Sequence, residues 1–129
     1  MHYSREIPRE DWADYLALLS HLSRTRRVRV DAGSSTADEQ PLSQSLPLVD
    51  IRLSEEDGLP GRIEVTVGRP GEEITYRLLG PERIRADENE SGDLQCLALL
   101  QEEGQLRMLV FFEPSEVFLE YVSPPLASM

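Results

Sequence analysis

The chain has 129 residues, one cysteine and a formal charge of −11, from 24 acids against 13 bases. That length fits one domain, which can bury roughly two-thirds of its unfolded surface and so hold a core without disulfide or metal. The acidic balance argues against nucleic acid or an anionic membrane as partner, since phosphate binding takes clustered cations, and a lone cysteine excludes an intrachain disulfide or a multi-cysteine zinc site.

The first element is a helix, predicted over 9–23. Trp12, Tyr15, Leu16, Leu19 and Leu22 recur at spacings of three and four, with Leu18 at the margin of their arc. Pro8 suits the first turn, where its missing N–H costs nothing. Glu10, Asp11 and Asp14 lie near the positive end of the dipole, and Arg24, Arg26 and Arg27 follow the last turn, where cations are favoured.

After the helix the period changes to two. Val28 and Val30 alternate with arginines, then Val49, Ile51 and Leu53 alternate, then Ile63, Val65 and Val67, then Ile74, Tyr76 and Leu78. Polar residues hold the other face of each run, the pattern of half-buried antiparallel strands. Gly58, Pro60 and Gly61, then Pro70-Gly71, then Gly80-Pro81 mark the connections. A further short strand fits 83–86. Residues 94–100 and 106–112 flank Glu102-Glu103-Gly104 and read as a hairpin. Both faces of this hairpin are apolar: Leu94, Cys96, Ala98 and Leu100 against Leu97 and Leu99, then Leu106, Met108, Val110 and Phe112 against Leu109 and Phe111. Strands apolar on both sides are covered on both sides. The helix covers one; the other calls for a curled sheet, the C-terminal segment or a second subunit, and Leu109 and Phe111 become candidate interface residues of a homodimer.

Two stretches carry less information. Residues 32–47 are polar and Ser-rich, longer than an ordinary connection, and read as a loop that is either mobile or functional, a lid if the chain binds a small ligand. Residues 116–122 fit a strand through Val117, Leu119 and Tyr121 or one helical turn through Val117, Phe118 and Tyr121; the Pro114-Ser115 turn before them favours the strand. Residues 123–129 read as a flexible tail. Nowhere are there the roughly 20 consecutive apolar residues of a membrane helix, and the charged, Pro-containing N-terminus is unlike a signal peptide, so a soluble cytoplasmic protein is the expectation.

With these elements placed, the chain resembles a family of small bacterial proteins known only as a domain of unknown function. The residues that carry the likeness are Arg5-Glu6-Ile7-Pro8-Arg9-Glu10-Asp11-Trp12, Gln40-Pro41-Leu42 leading into Leu46-Pro47-Leu48, Pro81-Glu82-Arg83-Ile84-Arg85, the acidic turn ending at Gly92, and the closing hairpin to Phe112. The tail from Glu113 lies outside the pattern. The resemblance implies one intact domain, 1–129, and brings no activity, cofactor or catalytic residue with it.

Candidate sites are few. Asp87, Asn89, Ser91, Gly92 and Leu94 match the first half of a calcium loop, but Ala98 stands where the bidentate glutamate belongs, so a polar turn explains the run better. Glu55-Glu56-Asp57-Gly58 is a second acidic turn without the cleft that paired-carboxylate hydrolysis needs. His21 falls opposite Trp12 on the helix and faces solvent, and Cys96 on a doubly apolar strand reads as an inert thiol. Arg24, Arg26, Arg27 and Arg29 form the one cationic cluster, suited to a phosphate or a partner's carboxylates. It is similar to the arginine motif of cyclic-dinucleotide-binding PilZ barrels, but Asp50, Ser54 and Gly58 depart from that family's companion spacing. No set of residues offers a nucleophile, base, metal site or cofactor loop at useful spacing.

The expected fold is α+β, an N-terminal amphipathic helix packed on a curled antiparallel sheet of six to seven strands. The expected function is a non-catalytic, acidic protein-interaction or accessory domain. The alternative is a small-ligand-binding domain with its pocket in the curled sheet.

Overall fold

The computed structural model describes residues 3–34, 37–56, 59–101 and 106–113. A short strand β1 (Tyr3–Glu6) leads through a 3-10 turn (Arg9–Asp11) into helix α1 (Trp12–Ser23). Eight strands follow: β2 (Arg27–Ser34), β3 (Ala37–Pro41), β4 (Leu46–Glu56), β5 (Leu59–Val67), β6 (Ile74–Leu79), β7 (Arg83–Glu88), β8 (Leu94–Leu100) and β9 (Leu106–Phe112). Segment 32–47, read above as a loop, thus holds the end of β2, all of β3 and the start of β4. The readings made for 116–122 and 123–129 lie outside the described residues.

The sheet corrects the expected architecture. Among the described residues it has nine strands rather than six or seven, all paired antiparallel, along the open path β1-β7-β8-β9-β2-β4-β5-β6, with β3 attached to β2. The path ends at β1 on one side and β6 on the other, so it is neither curled up nor closed. The two unforeseen strands, β1 and β3, are polar. Every residue of β1 is exposed, and β1 is held by backbone pairing of Tyr3 to Glu88 through Glu6 to Arg85. Its side chains add ion pairs, Arg5 to Glu88 (3.0 Å) and Glu6 to Arg83 (2.7 Å), and a strand fixed by backbone and charge leaves no period-two hydrophobic signature to read.

Most of the apolar side chains meet on one face. Val28 and Val30 of β2, Ile63, Val65 and Val67 of β5, Ile84 of β7, Leu97 and Leu99 of β8 and Val110 of β9 are almost wholly buried there, together with Trp12 and Leu16 of α1. The Trp12 indole N–H donates to the Ile7 carbonyl (2.9 Å), which satisfies the polar edge of a buried ring. The buried stripe of α1 is Trp12, Leu16, Ser20 and Ser23. It excludes Leu22, expected on the inner arc but 72% exposed, and includes two serines.

The serines are explained by β4. Its first residues pair with β2 at Arg27–Pro47 and Val28–Leu46, after which β2 turns the same edge to β3. The turn after the helix extends this contact, with Thr25 N–H donating to Leu48 O and Leu48 N–H to Arg26 O. Beyond Leu48 the edge of β4 would be unpaired and buried. There the Ser20 hydroxyl accepts from Ile51 N–H (2.7 Å) and donates to Ile51 O (2.8 Å). A register shift between Leu48 and Asp50 also turns both Leu48 and Ile51 inward, which strict alternation through Val49 does not produce.

On the outer face of β4–β6 the pattern is polar. Glu64 receives Arg77 (2.6 Å) and faces Arg62 (3.7 Å), and the Thr66 and Thr75 hydroxyls meet at 2.8 Å. The hydrogen bond from Arg77 is the main influence that holds the Glu64 carboxyl below the usual carboxylate range. A carboxyl lowered on folding stabilises the fold above its unfolded value and loses that contribution as pH falls through its folded value. Urea unfolding of Glu64→Gln against the parent should therefore show a deficit at pH 7 that shrinks by pH 3; an equal deficit at both refutes the linkage. Ser20→Ala leaves both polar groups of Ile51 unpaired in the interior and should cost about 1–3 kcal/mol in the same measurement.

Candidate functional site

The face of β7-β8-β9-β2 that turns away from the helix is the exception to the polar exterior. Backbone register places its side chains in three rows across the four strands. The first runs Asp87, Cys96, Phe111, Arg29; the second Arg85, Ala98, Leu109, Asp31; the third Arg83, Leu100, Arg107, Gly33. The centre is apolar, because Cys96, Ala98 and Leu109 form a second buried cluster, separate from the main core, with Leu100 and Phe111 against it. Above it lies a half-open depression of about 420 Å³, lined by Arg85, Asp87, Cys96, Ala98, Leu100, Arg107, Leu109 and Phe111.

Charge collects at the two sides of this floor. On β2 the Arg29 guanidinium lies 4.6 Å from the centre of the Phe111 ring and is held by both oxygens of Asp31, at 3.1 and 3.4 Å. Asp31 is itself only 7% exposed, so the pair is partly removed from water. On β7 Arg85 and Asp87 stand two residues apart; among the described residues neither side chain has a hydrogen bond or ion pair. Four arginines (29, 83, 85 and 107) thus frame the apolar floor against two aspartates (31 and 87) on these four strands, a reversal of the balance of a chain with charge −11.

The four arginines of the sequence cluster go to different places. Arg26 donates to Glu113 O (3.0 Å) and Leu94 O (3.3 Å) and lies 5.2 Å from the Phe112 ring centre, so it ties the end of β9 to the start of β8. Arg27 donates to the Ser45 hydroxyl and carbonyl, both at 3.1 Å, and closes the loop before β4. Arg24 is exposed after the helix. Only Arg29 joins Leu109 and Phe111, the other two residues singled out from the sequence, on one face. The spacing argument placed Leu109 and Phe111 opposite the core but missed Arg85, Asp87 and Asp31. Their signal was present: Ile84 and Ala86 alternate inward on β7, which turns Arg85 and Asp87 toward the hairpin's second face.

The remaining candidates are quiet. His21 is exposed on α1, and the acidic turn after β7 closes on itself, with Asn89 Oδ1 accepting from Ser91 N–H (2.9 Å) and Asp93 N–H (3.0 Å). Among the described residues, no group of three or more His, Cys, Asp or Glu side chains is placed to hold a metal ion. No helix among them is long and apolar enough to cross a membrane. What the outer face can do is bind: an apolar floor excludes water from a partner's side chains while flanking charges orient it.

The segments that gave the sequence its likeness are now in place: the lead-in to Trp12, strand β7 and the β8–β9 hairpin build both faces of the sheet. A family model covers them, matching residues 3–118. The chain belongs to the DUF5335 family, a family of unknown function. The match runs past Glu113, where the resemblance was expected to stop. No curated protein and no solved structure matches the chain.

Within this DUF5335 member, the arginine cluster separates into structural and free groups. Arg26→Ala strips two carbonyls of their donor and should lower stability by about 1–2 kcal/mol, whereas Arg24→Ala should stay within about 0.5 kcal/mol of the parent. Chemical denaturation of the two variants checks this; equal losses would show that the cluster acts as one unit.

Proposed function

We propose that the chain is a non-catalytic, cytoplasmic protein-interaction domain that pairs with a second copy of itself through the outer face of β8 and β9. The observation that carries this reading is the second apolar cluster of Cys96, Ala98 and Leu109, with Leu100 and Phe111, on the face that α1 does not cover. Within one chain Cys96, Ala98 and Leu109 are already buried, while Leu100 and Phe111 beside them are only partly so; a partner would cover that margin and the depression above it, at about 25 cal/mol per Å² of apolar surface removed from water. The open sheet offers no closure to cover it. The acidic surplus on the rest of the surface keeps the assembly soluble and discourages unspecific aggregation.

The test is the solution mass by light scattering across concentration. The parent should approach twice 14.6 kDa, and Leu109→Asp should have the monomer mass with an unchanged circular dichroism spectrum, because Leu109 belongs to the outer cluster and not to the main core. A parent that stays monomeric throughout overturns the proposal. So does a Leu109→Asp variant that remains dimeric or fails to fold.

A further inference from the structure

The outer face is complementary to itself under one particular two-fold axis, and this inference rests on the dimer proposed above. We propose that two copies pack face to face about an axis parallel to the strands and midway between β8 and β9. In that arrangement Asp87 faces Arg29 of the partner subunit, and Arg85 faces Asp31 of the partner subunit.

Shape selects the axis first. Along β8 the outward residues of the first two rows are small, Cys96 and Ala98; their neighbours on β9 are large, Phe111 and Leu109. Leu109 is buried while Phe111 is partly exposed, so Phe111 stands beside a trough over Cys96 and Ala98, about one strand spacing (~4.8 Å) away. A two-fold between them lays each Phe111 over the other copy's trough at Cys96, with the Leu109 row alongside. An axis at right angles, between the two rows, would stack trough on trough and leave the depression above Cys96 and Ala98 unfilled. Voids of that kind forfeit the dispersion contacts that make an interface hold.

Charge is compatible with this axis. An axis at right angles would unite opposite charges as well, Asp87 with Arg85 and Arg29 with Asp31, so shape chooses the axis and charge supports the pairing of the two faces. The axis that interlocks β8 with β9 carries β7 of one copy over β2 of the other, row for row. The first row ends in Asp87 and Arg29, the second in Arg85 and Asp31. Each row thus has opposite charges at its two ends, and the signs reverse between rows. Superposed after the two-fold, all four contacts unite opposite charges. The side chains of Arg85 and Asp87, without partners among the described residues, obtain them. The cis pair of Arg29 and Asp31 is kept and extended into a four-membered network on each side. Isologous contacts of this kind, in which one group meets a second and the second meets the first, are what a two-fold interface requires. The aligned stacking of two sheets about 10 Å apart is the common geometry for apolar sheet faces. Four strands by three rows is a small patch, at the low end of specific interfaces, so association in the micromolar range is expected.

The experiment measures dimer dissociation constants of the full chain by sedimentation equilibrium for the parent, Asp87→Arg, Arg85→Glu, Arg29→Asp and the double variant Arg85→Asp/Asp87→Arg. Each single variant places like charges together at two symmetry-related contacts and should weaken the dimer more than about tenfold. An equimolar mixture of Asp87→Arg and Arg29→Asp restores opposite charges at all four contacts, and should give a heterodimer tighter than either variant alone. The double variant should stay weak, because both of its new charges meet their like on β2. A double variant that regains parental affinity overturns the proposal and puts the axis across the strands. Single variants with parental affinity also overturn it, while leaving the dimer itself intact. If Arg29→Asp fails to fold for want of its contacts to Asp31 and Phe111, the two β7 variants decide the matter alone. A parent without any dimer refutes the underlying reading, which Leu109→Asp tests separately from charge.

Discussion

One hydroxyl fixes how this fold is layered. Strand β4 begins beside β2 and then parts from it, because β2 gives the rest of that edge to β3. The N–H and C=O of Ile51 are then left facing the interior without a strand. Ser20 serves both groups at once, within hydrogen-bonding distance of each. Unpaired, they would cost more than a typical bond contributes, since a buried polar group without a partner bears its full desolvation penalty. The helix is thereby registered against β4 to within a residue. Its inner stripe follows as Trp12, Leu16, Ser20 and Ser23, and Leu22 is turned out to solvent.

With the helix so placed, the two faces of the sheet have different fates. The inner face is sealed by Trp12 and Leu16 over valines, leucines and isoleucines from β2, β5, β7, β8 and β9. Outside, β4 to β6 carry ion pairs and hydroxyls, as expected of a sheet that faces water. The hairpin β8–β9 departs from that rule, with Cys96, Ala98 and Leu109 nearly buried on the outer side as well. The chain has placed apolar residues where its own helix does not reach, and it has framed them with arginines in an otherwise acidic molecule. Both features are what the proposed pairing of two copies uses.

The arginines show how little adjacency in sequence says about adjacency in function. Arg26 and Arg27 are neighbours, yet one grips the ends of β8 and β9 and the other grips Ser45. Two residues on, Arg29 lies across Phe111 on the outer face. Strand alternation and the turn after the helix send consecutive side chains to different sides of the sheet. Arg29 instead keeps company with Arg85 and Asp87, more than fifty residues away in the chain, because β9 and β8 intervene between β2 and β7.

Much of the architecture was legible in hydrophobic period alone. The helix and the seven apolar strands stand out because each must bury a face, and burial imposes a spacing of 3.6 or 2. The doubly apolar hairpin could be read as needing cover on both sides for the same reason. Strands β1 and β3 could not be read, since their sequences, Tyr3-Ser4-Arg5-Glu6 and Ala37-Asp38-Glu39-Gln40-Pro41, carry no alternating apolar residues. Strand order, the open path and the bulge that turns Leu48 and Ile51 inward together were decided only in three dimensions, where backbone groups far apart in the chain compete for the same partners. The sequence by itself determined that the face carrying Leu109 and Phe111 would need cover beyond the helix. Tertiary structure decided what frames it, because only pairing of β7, β8, β9 and β2 brings Arg85, Asp87, Arg29 and Asp31 to one face.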